Sequence, residues 1–340
     1  MSDLGRIGVD GGERVLLHMT APSREDFDIP YHDLGPQHEE PAVALVAGVH
    51  GNELNGVFVL ARLASFLRKI AAGERSGASL LRRVLVVPAV NVLGVNTRSR
   101  NWPFDGTDIN RMFPGYDGGE TTQRIASALL ELTAPARWRI DIHASNVDFE
   151  EMPQVRLYAP NDDEREAARW LGLPAVVERP ATPSFHATLA SAWRERGGGA
   201  LVIQAGYAGS MQALHCERLF RALVDFLERA GLLIGVRLAE PEEDVHHFGP
   251  KHAFPIISEH AGWFVSRLEV GQWLQAGEMI GYVYDGFTGE LRSEVRSPIS
   301  GLVSGIRRQP LLCEGDLVAR ILSRHEVGDV ADTYLMGHGQ

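Results

Sequence analysis

From residue 42 onward the chain alternates between short apolar runs and longer amphipathic stretches. The runs AVALVAGV (42–49), RVLVVPAV (83–90), RWRIDI (137–142) and ALVIQA (200–205) have the texture of parallel strands buried on both faces. Between them, the segments 53–72, 121–133, 162–171 and 186–196 carry apolar residues at helical spacing, and a further helix is expected over 213–230. Such alternation predicts an α/β sheet with helices on both faces. The first forty residues read as short strands and turns, with RVLLHM (14–19) the clearest strand.

Near residue 235 the texture changes. EPEEDVHHFGPKH is polar and reads as a connection. Beyond it, short apolar alternations separated by glycine-containing turns predict a small all-β module. In VGQWLQAGEMIG and PLLCEGDLVARI a turn glycine precedes an apolar strand, a pattern similar to lipoyl and biotinyl carrier domains. Those carriers attach their prosthetic group to a lysine at a hairpin tip. No lysine follows Lys251, so a carrier role is excluded and the module is expected to cap or shape a site on the main domain. The expected division is 1–235, 236–325 and a loose tail, 326–340.

Composition narrows the class. At 340 residues, 44% hydrophobic and 23% charged, the chain matches ordinary globular proteins. No apolar run is long enough to span a bilayer, so no membrane partner is expected. The stretch MSDLGRIGVDGGERVLL lacks the basic region and apolar core of a signal peptide, which predicts a cytoplasmic protein. A net charge of −11 argues against general nucleic-acid binding. Lysine is confined to Lys69 and Lys251, and arginine suits buried contacts to planar anions. Cys216 and Cys313 lie far apart in no paired motif and read as reduced, structural thiols.

In open α/β sheets, ligands bind beyond the carboxyl ends of the strands. His50 and Glu53 follow the first apolar run. Asn91 and then RSRNWPFDGTDINR follow the second, and His143 the third, while Gln204 lies near the end of the fourth. Two histidines and a glutamate with a fourth position open is a catalytic zinc set. Gly51 would allow the tight bend between His50 and Glu53. Asp141, on the same strand face as His143, could orient it. A lone His-x-x-Glu is a weak pattern, and His143 alone would pass for a core histidine; their joint placement at strand ends is what argues for a metal. His246, His247, His252 and His260 read as solvated or structural.

GVHGNE, RNWPFDGTDINRMFPG and DIHAS closely resemble the succinylglutamate desuccinylase/aspartoacylase family, within the wider zinc carboxypeptidase group, over about residues 40–325. The resemblance implies a zinc carboxypeptidase-like α/β/α sandwich with a mixed central sheet, followed by an all-β barrel-sandwich module. It further implies one Zn2+ per chain and hydrolysis of the amide bond of an N-acyl amino acid or related small acylated amine. A homodimer is implied in the same way. By motif, His50, Glu53 and His143 match the zinc ligands, and Arg100 the arginine that polarises the scissile carbonyl. Asn110 and Arg111 match the pair that grips a substrate carboxylate, with Asp108 supporting from behind. Arg111 suits its task because a guanidinium fork binds a carboxylate in two places.

One position departs from the pattern. The family's general base is a glutamate on a late strand, and Gln204 stands there. A neutral amide cannot take the proton, and losing a general base costs about 100- to 10,000-fold in rate. Three explanations stay open: an exchange made to trap substrate, a different carboxylate as base (Glu150, Glu151 or Glu178), or a protein that binds without hydrolysing. A zinc carboxypeptidase acting on peptides is a further alternative. Specificity is expected in the loops 145–160 and 207–215.

Overall fold

The computed structural model describes residues 12–20, 23, 26–236 and 244–327. The expectations for the first eleven residues, for 237–243 in the polar connection and for the tail from 328 onward lie outside them.

An antiparallel pair, Glu13–Met19 (β1) and Phe27–Leu34 (β2), precedes the apolar strands. Val43–Ala47 (β3), Val84–Val87 (β4) and Trp138–Ser145 (β5) then alternate with the helices Leu54–Ala71 (α1), Val92–Thr97 (α2) and Thr121–Thr133 (α3). Next come Phe149–Tyr158 (β6), Asp162–Trp170 (α4), Ala175–Arg179 (β7), Leu189–Glu195 (α5), Gly199–Tyr207 (β8) and Ala213–Arg229 (α6). The strands hydrogen-bond in the order β1-β2-β4-β3-β5-β8-β6. β4, β3, β5 and β8 run parallel, while β2 and β6 join them antiparallel, so the sheet is mixed.

Period-two alternation sends each strand's side chains to two apolar layers. Val43, Leu45 and Ala47 pack with Leu60 and Leu63 of α1 and with Leu223 and Phe226 of α6. Ala44 and Val46 face the other way, onto Ile125 and Leu129 of α3 and Leu189 and Trp193 of α5. This is why the strands read as unbroken apolar runs. Among the described residues, no helix is long and apolar enough to cross a membrane.

Arg139 interrupts the apolar run of β5, and packing explains it. The side chain is buried and donates from Nε to the carbonyl of Ala136 (2.9 Å), from Nη1 to Trp193 (2.7 Å) and from Nη2 to Ala134 (2.6 Å). It thereby satisfies carbonyls that the ends of α3 and α5 leave without helical partners. Arg139→Leu would strand all three acceptors, each worth about 1 kcal/mol or more. We expect a loss of roughly 3 kcal/mol or more, read from the midpoint of urea unfolding with an unchanged slope.

The C-terminal region is all strand: His246–Phe248 (β9), Ala253–Ile257 (β10), Gly262–Ser266 (β11), Met279–Tyr284 (β12), Leu291–Arg296 (β13), Gly301–Arg307 (β14) and Leu317–Leu322 (β15), with two short bridging pieces. β11, β12 and β13 belong to a four-stranded sheet, and β14, β15 and β10 to another. Phe254, Phe264, Ile280, Val283, Val303 and Ile321 form the core between them. The second of these sheets is continuous with the main one. β14 pairs antiparallel with β6 (Gly305↔Glu151, Ile306↔Glu150), and β9 pairs with β7. The division expected near residue 235 is therefore bridged by backbone hydrogen bonds.

The expected loop 145–160 is overturned, because most of it is β6. Glu150, Glu151 and Arg156 break its apolar pattern; His215 and Arg308 pair with Glu150, and Arg320 and the strand's own Arg156 pair with Glu151, so the strand stays buried.

Candidate active site

β3 ends at Ala47, and the chain reaches His50 through a bend at Gly48 (φ +64°). Gly51 is needed for a different reason from the one expected: a Cβ there would lie 2.2 Å from the backbone of Gly94 in α2. Glu53 is the N-cap of α1, and its Oε2 accepts from the backbone N–H of Ala144 (2.9 Å). His143 lies near the carboxyl end of β5, with Gln204 of β8 beside it in register.

The three expected ligands meet. One ligand atom from each of His50, Glu53 and His143 lies within 4.8 Å of the others. His50 Nδ1 is 2.8 Å from Glu53 Oε1, and His143 Nδ1 is 3.0 Å from Glu53 Oε2. The far nitrogens each meet a second carboxylate: His50 Nε2 is 3.0 Å from Asp108 Oδ1, and His143 Nε2 is 2.8 Å from Asp141 Oδ2. Carboxylates placed this way fix the tautomer with hydrogen on Nε2 and leave the Nδ1 lone pairs facing Glu53. His50 Nδ1 is buried, and the Glu53 carboxylate faces it at 2.8 Å but out of line for a hydrogen bond.

The electrostatics call for a cation at this point. Burial opposes charge on both histidines, yet Glu53 and Asp108 raise His50 above the ordinary imidazole value. Asp141 and Glu53 raise His143 well above it, again against burial. Glu53 is buried too, but the histidines hold it far below the usual carboxylate range. Asp108 is held down to about 2: burial opposes its ionisation, and the His50 hydrogen bond and the Arg100 charge outweigh that. A proton or a metal ion between Glu53 and the imidazoles answers the same field. Two His and one Glu with orienting carboxylates fit zinc by donor chemistry.

Arg100 Nη1 donates to Glu53 Oε1 (3.0 Å), and Nη2 lies 3.1 Å from His50 Nε2. Its carbonyl accepts from Gly51 N and from Asn91 Nδ2, which anchors the loop. Asn110 and Arg111 follow Asp108 in a short 3-10 turn whose first N–H groups Asp108 caps. Asn110 Oδ1 is occupied by Leu189 N (3.0 Å). Arg111 is exposed, and its Nη1 donates to the Asn110 carbonyl (2.9 Å); no carboxylate among the described residues pairs with it. His50, Glu53, His143, Asp141, Arg100, Asn110 and Arg111 line one cavity of about 810 Å³.

Gln204 lines the same cavity and accepts from Arg156 Nη1 (3.3 Å). Two of the three carboxylates considered as substitute bases stand elsewhere. Glu150 pairs with His215 and Arg308, and Glu178 with Arg165 and His247. Successive residues of a strand face opposite ways, so Glu151 does reach the cavity, where Arg156 and Arg320 hold it. The all-β region contributes Arg307, Asp316, Leu317 and Arg320 to the wall. Arg156, Arg179 and Arg320 were not anticipated from the sequence. The only signal was an arginine inside MPQVRLY. The late histidines stand apart from the triad, as expected: His247 pairs with Glu178 and His252 with the Ser323 carbonyl. Both cysteines are free.

Fold and site together define a mixed α/β protein with a His-Glu-His centre at the ends of parallel strands. Residues 39–228 match the family model of the succinylglutamate desuccinylase/aspartoacylase catalytic domain, and the chain belongs to that family. It is 27% identical over 294 residues to the N-alpha-acetyl-L-2,4-diaminobutyric acid deacetylase of Halomonas elongata, covering 83% of this chain and 82% of that one. Among solved structures, it is similar to the product-bound ectoine utilization protein EutE (DoeB) of Ruegeria pomeroyi (TM-score 0.76, 23% identity, 93% and 97% coverage). It is also similar to a succinylglutamate desuccinylase/aspartoacylase of Rhodobacter sphaeroides (TM-score 0.76, 22% identity, 95% and 100% coverage). These two likenesses establish a shared fold.

Proposed function

We propose that this chain is a zinc-dependent deacylase that hydrolyses the amide bond of an N-acyl amino acid or a related small acylated amine. The observation that carries the reading is the pair of imidazole Nδ1 atoms turned onto the two oxygens of Glu53, with each Nε2 on its own carboxylate. Family membership and the deacetylase relative support the same reaction class. The parallel strands with helices on both faces support a zinc carboxypeptidase-like sandwich, on which we read 1–235 as the catalytic unit and 236–325 as a wall of its site.

In this reading His50, Glu53 and His143 hold the zinc, which supplies an acidified water and a Lewis acid. Asp108 and Asp141 orient the two imidazoles. Arg100, beside Glu53, directs positive charge at the oxygen of the scissile carbonyl and stabilises it as charge develops there. Asn110 and Arg111 hold the substrate carboxylate, with the unpaired Arg111 fork as the main contact.

Turnover of a panel of N-acyl amino acids, including N-alpha-acetyl-2,4-diaminobutyrate, tests this with zinc supplied. Equimolar free amine and carboxylate are expected. Arg111→Ala should raise KM by about tenfold or more with a smaller change in kcat, because its contact is made equally in ground and transition states. The absence of product from every panel member, in both the wild type and Gln204→Glu, would contradict the proposal. Gln204 itself favours a second reading, a binder without turnover; that reading predicts bound ligand and no product from the wild type.

A further inference from the structure

A small apolar cluster, separate from the two layers that sandwich the sheet, lies in the cavity wall. Phe185, Ala190 and Val202 form it, Tyr158 packs against them, and all four line the cavity. Phe185 and Tyr158 are stacked, with ring centroids 4.1 Å apart and an interplanar angle of 19°. The four residues come from a short turn, from α5, from β8 and from β6, so no local pattern announces the cluster.

Strand register fixes its place relative to the triad. His143 and Asp141 of β5 pair with Gln204 and Val202 of β8. Val202 therefore faces the same way as Gln204, one alternation, or about 7 Å, farther from the carboxyl end of the sheet.

Hydrogen bonds fix its place relative to Arg111. Phe113 N donates to the carbonyl of Ala187 (3.3 Å), and Asn110 Oδ1 accepts from Leu189 N (3.0 Å). The turn that carries Asn110 and Arg111 is thus tied to the segment between Phe185 and Ala190. In an N-acyl amino acid, the carbon that bears the carboxylate also bears the side chain. A carboxylate on Arg111 therefore brings that side chain to the apolar cluster.

Charge at the edge of the cluster narrows what it can take. Arg156 pairs in register with Val202, and Arg179 with Tyr158. Arg156 directs Nη2 to Glu151 and Nη1 to Gln204. An ammonium group beside these guanidinium groups would be repelled. A carboxylate would lose hydration against Phe185, Ala190 and Val202. An aromatic ring meets both constraints, because it packs on apolar groups and its face attracts a guanidinium.

We infer that Tyr158, Phe185, Ala190 and Val202 form the pocket for the amino-acid side chain, and that it selects N-acyl amino acids with aromatic or bulky apolar side chains. The inference rests on the deacylase reading and on Arg111 as the grip on the carboxylate. It departs from the diaminobutyric acid named for the curated relative, whose side chain ends in an amine.

Calorimetric titration of the full chain with free L-amino acids, the amine products of the proposed reaction, tests it without requiring turnover. Phenylalanine should bind at least about tenfold more tightly than alanine, as burial of one aromatic ring predicts. It should also bind more tightly than 2,4-diaminobutyrate or aspartate. Ala190→Phe, which fills the pocket, should erase the preference for phenylalanine over alanine. If that variant does not fold, Val202→Thr decides: it keeps the shape, sets a hydroxyl against the ring and should cut the preference severalfold. Equal affinity for phenylalanine and alanine, tighter binding of aspartate or diaminobutyrate, or a preference that persists in the folded variants would overturn the pocket. A chain that binds phenylalanine as stated yet hydrolyses no N-acyl amino acid would refute the deacylase reading alone.

Discussion

His143→Ala is expected to abolish both zinc retention and hydrolysis. The substitution removes one of the three proposed ligands and leaves Asp141 and Glu53, both buried, facing a void. Lewis-acid stabilisation is worth several kcal/mol, so kcat/KM should fall about 1,000-fold or more. Metal content after dialysis, measured by elemental analysis, should fall from about one per chain to nearly none. Asp141→Asn keeps the ligand and weakens only its orientation, with an expected loss of roughly 10- to 100-fold in metal affinity. The pH dependence has a definite sign. Zinc and a proton compete for the Nδ1 lone pair, and Asp141 and Glu53 raise the proton affinity of His143. Zinc affinity should therefore climb as pH rises from the ordinary imidazole value of 6.5 toward the raised value. Full zinc retention by His143→Ala would move the metal elsewhere.

Gln204→Glu is expected to raise kcat by about 100-fold or more, the usual contribution of a positioned general base. The position suits the role. Residue 204 lies beside His143 in register, lines the cavity and already receives a hydrogen bond from Arg156, which a carboxylate would accept more strongly. Of the other carboxylates considered, Glu150 and Glu178 stand outside the cavity, and Glu151 is held by two arginines. Steady-state kinetics on an N-acyl amino acid at saturating zinc would measure the change. An unchanged or lower kcat would mean that a group other than residue 204 already takes the proton.

These residues differ in how visible they were in the sequence. His50, Glu53 and His143 stand directly after apolar runs, so local pattern and the strand-end rule located them together. The helices 121–133 and 213–229 were equally legible from their spacing. Asp108 and Asp141 lay close to recognisable motifs. Arg156, Arg179 and Arg320 were hidden for a physical reason. A charged residue in a buried strand breaks the local apolar pattern, and what makes it tolerable is a partner far away in sequence: Glu151 and Arg320 are 169 positions apart. The same blindness turned β6 into an expected loop. It also separated the all-β region from the main sheet, since no local pattern reports that β14 pairs with β6.

On the proposed reading, a zinc ion held by His50, Glu53 and His143 drives hydrolysis of an N-acyl amino acid. Elemental analysis of the full chain, paired with turnover before and after chelation, tests it most directly. The expected result is about one zinc per chain, turnover that vanishes with the chelator and returns with added zinc, and neither metal nor turnover in His143→Ala. Hydrolysis that continues at full rate in the chelated protein would contradict it.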